Sequence, residues 1–289
     1  MDLSRYIVKA RPGALGAKHE EKRPLRRLSA LPVKRYVFIN RDSHPEANIY
    51  VAIHEAVNLP SPVPDYQVPH CHNTDEFYFF IGNHPDLTGL EGQIIFEGQA
   101  HKIVSPACVY IPTGTVHEYK VTRGAGTVTV LFRDRGYTHE DKAFDSAKGE
   151  REFAKYASYI FPPAVRPTRE IQYHTDAAPG VRSVFVDATL KPEAGFYAAV
   201  RSVSDVAPSQ ASYVDRHTHR CDTQHIAIGI GPELTGLKIE FQIGDQKAVV
   251  ESPVGVHIPA GTPHSQRIIE GSGHFFNFVP KGNYNDSLL

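Results

Sequence analysis

The sequence predicts an all-β chain in which one barrel-like unit is used twice. The first observation behind this is a repeat. His70-Cys-His72, Asp75, Gly82 and Pro85-Asp-Leu-Thr-Gly-Leu90 recur as His217-Thr-His219, Asp222, Gly229 and Pro232-Glu-Leu-Thr-Gly-Leu237. Pro112, Gly114 and His117 recur as Pro259, Gly261 and His264. Each pair is 147 residues apart (70 to 217, 117 to 264), with no gap between. The second observation is the pattern of short β-branched and aromatic runs punctuated by Gly, Pro, Asn and Asp, which suggests a sandwich or barrel. In the first copy these runs are Asn48–Val57, Glu76–Ile81, Gln93–Phe96, Ala107–Ile111, Glu118–Thr122 and Thr127–Phe132. The third is the scarcity of helical pattern: the fair candidate is the stretch His139–Tyr156, rich in Ala, Glu, Lys and Asp.

Taken in order, residues 1–40 carry Pro, Gly and charge without clear period and read as an N-terminal arm packed across a barrel or a partner chain. The basic pairs Lys22–Arg23 and Arg26–Arg27 follow Glu20 and Glu21, and read as solvated. Residues 41–135 form the first barrel, 136–160 a helical join and 161–289 the second barrel. The unit boundary is expected between Phe132 and Tyr159.

Composition narrows the function. The 289 residues are 41% hydrophobic, enough for a sizeable core, and the net charge is -1. A balanced charge gives no single-sign field to recruit nucleic acid or an anionic membrane. No apolar stretch is long enough to span a bilayer, and Met1–Gly16 has no apolar core of a signal peptide. Three cysteines, Cys71, Cys108 and Cys221, at no disulfide-like spacing favour free thiols in a reducing cytoplasm.

The chemistry lies in the histidines. Residues two apart on a strand share a face, so His70, His72 and Glu76 are expected to project from one strand face. His117 follows the turn Pro112-Thr-Gly-Thr, which returns a neighbouring strand beside them. Three imidazoles and a carboxylate make a mixed N/O site for a divalent metal: Fe, Mn, Zn, Ni or Co. Tyr78 and Phe80 continue the parity of Glu76 and are expected to line the cavity or simply fill the core. His54, on the preceding strand, and its counterpart Arg201 are candidates to orient a ligand or meet an anionic substrate. Tyr119, two residues past His117, either donates to a substrate or packs. Asp75 and Asp222 have outward parity, suited to turn or inter-strand hydrogen bonds.

His70-x-His72-x-x-x-Glu76 followed by Gly82 resembles the first motif of the cupin superfamily, and Pro112-x-Gly114-x-x-His117 resembles the second. The resemblance covers about residues 48–132 and again 195–279. It implies a bicupin: two tandem jelly-roll (double-stranded β-helix) barrels, each with a cavity at one end. The pattern departs from the family at Pro64, Pro106 and Pro253, which stand where glycine usually precedes a motif, and at Val121 and Ile268, where Asn often follows.

The second copy keeps His217, His219 and His264 as metal-ligand candidates, but Thr223 stands where the first has Glu76. One more spacer residue would put Gln224 there instead, and His225 shares the inward parity. The fourth position is therefore Thr223, Gln224 or His225. Among functions, a metal-dependent enzyme with Fe(II) is favoured: a non-haem iron dioxygenase acting on a small oxygenated or carboxylated compound, with Glu76, Tyr78 and His54 as catalytic candidates. The alternatives are a metal-dependent isomerase or lyase of a carbonyl or sugar compound, and a binding protein without catalysis. Pairing through sheet edges, frequent among cupins, implies a homodimer.

Overall fold

A computed structural model describes residues 3–10, 32–65, 67–134, 140–208 and 211–289. The chain divides into two compact units, one of Pro12–Asp42 and Asn48–Pro162, the other of Met1–Arg11, Ser43–Ala47 and Pro163–Leu289. Both are β-built, as the repeat requires. No helix among the described residues is long and apolar enough to cross a membrane.

The first unit is two antiparallel sheets. One runs, in spatial order, Ile160–Phe161, Ala107–Ile111, Glu76–Gly82, Gly126–Phe132, Tyr50–Ala56 and Lys34–Ile39. The other runs Glu140–Asp141, His70–Cys71, His117–Gly124, Leu90–Phe96 and Gln99–Val104. Alternation decides which side chains enter the core. Leu90, Gly92, Ile94 and Phe96 are buried while Glu91, Gln93 and Ile95 are only partly so. Tyr50, Ala52, Tyr78, Phe80, Tyr119, Val128, Val130 and Phe132 belong to one buried cluster. The motif glycine Gly82 allows a close turn: a Cβ there would lie 2.0 Å from the Thr88 carbonyl oxygen.

The second unit repeats the register in one continuous sheet. Its strand His264–Val279 pairs with Leu237–Ile243 along its first half and with Tyr197–Val206 and Thr223–Gly229 along its second. In the first unit the corresponding path is broken at Ala125, between His117–Gly124 and Gly126–Phe132.

Two boundaries and one strand assignment differ from the sequence reading. The segment 1–40 is not one arm. Ile7–Lys9 adds a strand beside Val254–Val256 in the second unit, whereas Lys34–Ile39 is the edge strand of the first, paired to Tyr50–Ala56. The basic pairs at 22–27 lie outside the described residues. The join is part of the first barrel rather than a linker. Its helices Ser146–Arg151 and Phe153–Ala157 carry Tyr156, which stacks on Phe96 with 5.2 Å between ring centroids, and Tyr159 meets the same ring edge-on. Ile160 and Phe161 then pair with Val109 and Cys108, so the first unit runs on to Pro162. Burying two tyrosines outweighs the polar character by which the segment reads as a spacer. Finally, His70 and Glu76 do not share a strand. His70–Cys71 and Glu76–Gly82 lie in different sheets, joined by a bend at Asn73 and Thr74.

Candidate metal centres

That bend makes the first site. His70 and His117 face each other as Cα partners in one sheet, and Glu76 opens the strand across from them in the other, opposite Ile111 and Phe132. Asp75 points away and clamps the loop, its Oδ1 accepting from Thr113 N and Oγ1 at 3.0 Å each. Ligand atoms of His70, His72 and His117 lie within 4.8 Å of one another, and all three residues are buried. Glu76 joins them: its Oε2 is 2.8 Å from His117 Nε2 and 3.5 Å from His72 Nε2.

The hydrogen-bond directions identify what these contacts are. His70 Nδ1 donates to the Val68 carbonyl at 2.8 Å and His117 Nδ1 to the Thr115 carbonyl at 2.9 Å. Each ring thereby turns an Nε2 lone pair inward, the arrangement by which outer partners orient a metal-ligating histidine. Glu76 is 1% exposed, and neither carboxylate oxygen accepts a hydrogen bond from any described residue. A buried carboxylate facing imidazole lone pairs is costly unless a cation sits between them. Two donors about 2.1 Å from a common ion and at right angles lie about 3 Å apart, close to the separations seen. The residues fit a divalent metal with an N3O donor set.

Of the other candidates, Tyr78 is buried with its hydroxyl 3.3 Å from His117 Nε2. His54 lies farther down the barrel wall, paired in register with Arg35 and Val128. Its Nδ1 meets the Tyr119 hydroxyl, and the Tyr119 ring lies 4.6 Å from that of Tyr78. Burial, helped by the Arg35 charge, pushes His54 down to about 3, so it is a neutral ring. Tyr78, Tyr119 and His54 thus form a polar line leading away from the histidine cluster. Phe80 packs in the core, where a Cβ on Gly92 would meet its ring at 2.7 Å.

The second site repeats the first up to the carboxylate. His217 and His264 pair as His70 and His117 do, and His217, His219 and His264 also gather within 4.8 Å. His217 Nδ1 donates to the Asp215 carbonyl, His264 Nδ1 to the Thr262 carbonyl and His219 Nδ1 to Ser287 Oγ at 2.6 Å. Burial pushes His219 down to about 2 and His264 to about 3, with neighbouring imidazoles adding to the effect, so the rings are in the neutral form that ligates. Thr223 pairs with Ile258 as Glu76 pairs with Ile111, placing it at the carboxylate's position. Gln224 turns to the other face, with its Nε2 3.3 Å from His257 Nδ1. His225 stands where the first unit has Tyr78, stacked 5.3 Å from Phe275 and with its ring 6.1 Å from that of His264.

Sequence reasoning missed Tyr284 and Ser287. The Tyr284 hydroxyl is 2.9 Å from His217 Nε2, and Ser287 orients His219. Leu288 bridges to His219, and Arg220 donates to the Leu288 carbonyl, so the segment closes over the site. A signal was present: Tyr137 and Tyr284 stand at the repeat offset of 147 (137 to 284), although Tyr137 lies outside the described residues. Cys71 and Cys221 take no part in either histidine cluster.

The sequence matches no protein-family model and no curated protein. Solved structures do match. A single-residue mutant of Bacillus subtilis oxalate decarboxylase superposes with a TM-score of 0.59 at 10% identity, over 98% of this chain and 79% of that one. Lactobacillus farciminis oxalate decarboxylase in its formate complex gives 0.59 at 13%, over 100% and 89%. A Bacillus subtilis oxalate decarboxylase structure described for its Mn(II) centres gives 0.56 at 11%, over 98% and 79%. At these identities the likeness is one of fold: the chain has the all-β architecture of these proteins along its whole length.

Proposed function

We propose that the first barrel is a metal-dependent enzyme acting on a small carboxylated compound. The observation that carries this is the Glu76 carboxylate, buried without a hydrogen bond from described residues among the imidazoles of His70, His72 and His117, of which His70 and His117 use Nδ1 on backbone carbonyls. His70, His72, Glu76 and His117 would hold the ion. When bound, the ion supplies a Lewis acid for the substrate carboxylate and, as Fe(II) or Mn(II), a redox partner for O2. The chain's own groups do the rest. Tyr78, 3.3 Å from His117 Nε2, is placed to donate a hydrogen bond to a substrate oxygen beside the ligands. Neutral His54 serves as a hydrogen-bond partner that holds the Tyr119 hydroxyl in place beside Tyr78. Phe80, Val130 and Phe132 exclude water from the space between.

The oxygen-dependent form of this reading is a non-haem dioxygenase, for which four protein ligands leave room on the ion for both substrate and O2. The second reading is a lyase, favoured by the oxalate decarboxylases that share the fold. Oxygen consumption and CO2 release, measured together on protein loaded with Fe(II) or Mn(II) and supplied with oxalate and small hydroxy acids, divide the two. The first barrel is expected to carry turnover, so Glu76→Ala should abolish it. Turnover unchanged in Glu76→Ala and lost in His219→Ala would make the second barrel the enzyme. A homodimer completes the proposal; sedimentation as a clean monomer at working concentration would count against it.

A further inference from the structure

The second barrel buries two arginines on adjacent strands. Arg182 and Arg201 are Cα partners on adjacent strands, both buried, and both line one cavity. Side chains directly opposite on such strands have Cβ atoms about 5 Å apart, and like charges there repel. The corresponding pair in the first barrel is Arg35 and His54, where the histidine is neutral. Only the second barrel therefore doubles the charge.

What surrounds the two guanidinium groups compensates their charge only in part. Arg182 donates to the Tyr197 hydroxyl and the Pro167 carbonyl. Arg201 donates to the Pro179 carbonyl and to Thr168 Oγ1 at 2.7 Å, and lies over the Tyr213 ring. These neutral acceptors orient the groups and leave their charge. The nearest carboxylate to Arg182 is Glu170, half-exposed and 3.7 Å away, and no acid is among the residues lining the cavity. Burial pushes Arg201 down from the usual arginine value and Arg182 adds to this, against the opposing pull of Tyr213, Tyr197 and Asp176. Gln266 lines the same space, and its buried Oε1 has no hydrogen-bond partner among the described residues, so its carboxamide is available to turn toward a ligand. The enclosed space is small, about 40 Å³, and open at its mouth, which limits a ligand to a few heavy atoms. His174 on its rim places the cavity beside the second histidine cluster, 5.3 Å from the His217 ring.

We propose that this cavity binds a small dicarboxylate, held by Arg182 and Arg201 with Gln266 as a neutral partner. A guanidinium presents a planar fork that matches a carboxylate, and two forks side by side suit two carboxylates on one short chain. The site is separate from the first barrel and does not depend on the enzymatic reading given to that barrel.

Calorimetric titration of the full-length, metal-containing protein with malonate tests this, with malonamide and inorganic phosphate as the comparison probes. In His70→Ala/His72→Ala protein, where the first barrel's own carboxylate site is disabled, one binding event is expected, weakened at least 10-fold by adding Arg201→Gln or Arg182→Gln, with malonamide silent. Because those variants remove bonds that hold loops, Ala199→Leu serves beside them: it fills the cavity while both arginines stay, and should also abolish the event with the melting temperature retained. Absence of any binding by the folded wild type, or binding unchanged in folded Arg201→Gln and Ala199→Leu, overturns the proposal. So does malonamide binding as tightly as malonate. Phosphate binding more tightly than malonate would overturn the carboxylate assignment.

Discussion

Replacing Glu76 by Gln should change stability with opposite sign in the presence and absence of metal. Glutamine keeps the shape of the side chain and removes its charge. Without an ion, the wild-type carboxylate is 1% exposed, takes no hydrogen bond from described residues and faces the His117 Nε2 lone pair at 2.8 Å. An unsatisfied buried polar group costs about 1–3 kcal/mol, and more when charged. The Gln amide can instead donate to His117 Nε2, whose Nδ1 is already used on Thr115. Metal-free Glu76→Gln should therefore gain about 2 kcal/mol, or roughly 4–8 °C in Tm for a unit of this size. With metal the sign reverses. Loss of the one anionic ligand should weaken binding at least about 100-fold, near 2.8 kcal/mol. The assay is thermal unfolding of wild type and variant at pH 8, with chelator and then with saturating Mn(II) or Fe(II), in a His217→Ala/His219→Ala background. Equal destabilisation of the variant under both conditions would refute the reasoning, because the carboxylate would then be serving the protein rather than an ion.

Other predictions follow the same logic. His70→Ala/His72→Ala combined with His217→Ala/His219→Ala should leave elemental analysis with almost no bound metal, whereas either pair alone should retain the other barrel's share. Thr223→Glu in the His70→Ala/His72→Ala background should tighten metal binding about 10-fold or more by direct titration, since Thr223 holds the register of Glu76; unchanged affinity in the folded variant would show that Tyr284 blocks the position. His274 is pushed down to about 4 by burial, so the folded protein takes up that proton only near pH 4 while the unfolded chain does so near 6.5. Its contribution, about 3 kcal/mol, is present above pH 6.5 and lost as pH falls to 4; His274→Gln should flatten that acid limb in urea unfolding.

Much of this protein was legible in its residues because a repeat carries its own register. The common offset marked His70 with His217 and Glu76 with Thr223, and the strand pairing sets each pair at matching positions. A short apolar run likewise marked Ala107–Ile111, buried at every residue, and parity marked the inward run Glu76, Tyr78, Phe80, because alternate side chains of a strand face one side. Parity did not extend across the bend at Asn73 and Thr74. It placed His70 and Glu76 on one strand, whereas the chain crosses between sheets there and closes the site from two sides. The role of the join was hidden for a related reason: a polar, helix-forming segment reads as a spacer until the burial of Tyr156 and Tyr159 against Phe96 is seen. Tyr284 and Ser287 reach His217 and His219 from about 70 residues downstream, and Arg182 and Arg201 meet only through strand pairing. Sequence by itself determined the fold class, the duplication and the histidines that gather in each copy, since these depend on local period and residue chemistry. Tertiary structure alone decided which lone pairs converge, which carboxylate is left without a partner and where two positive charges are brought together, since these depend on contacts between residues far apart in the chain.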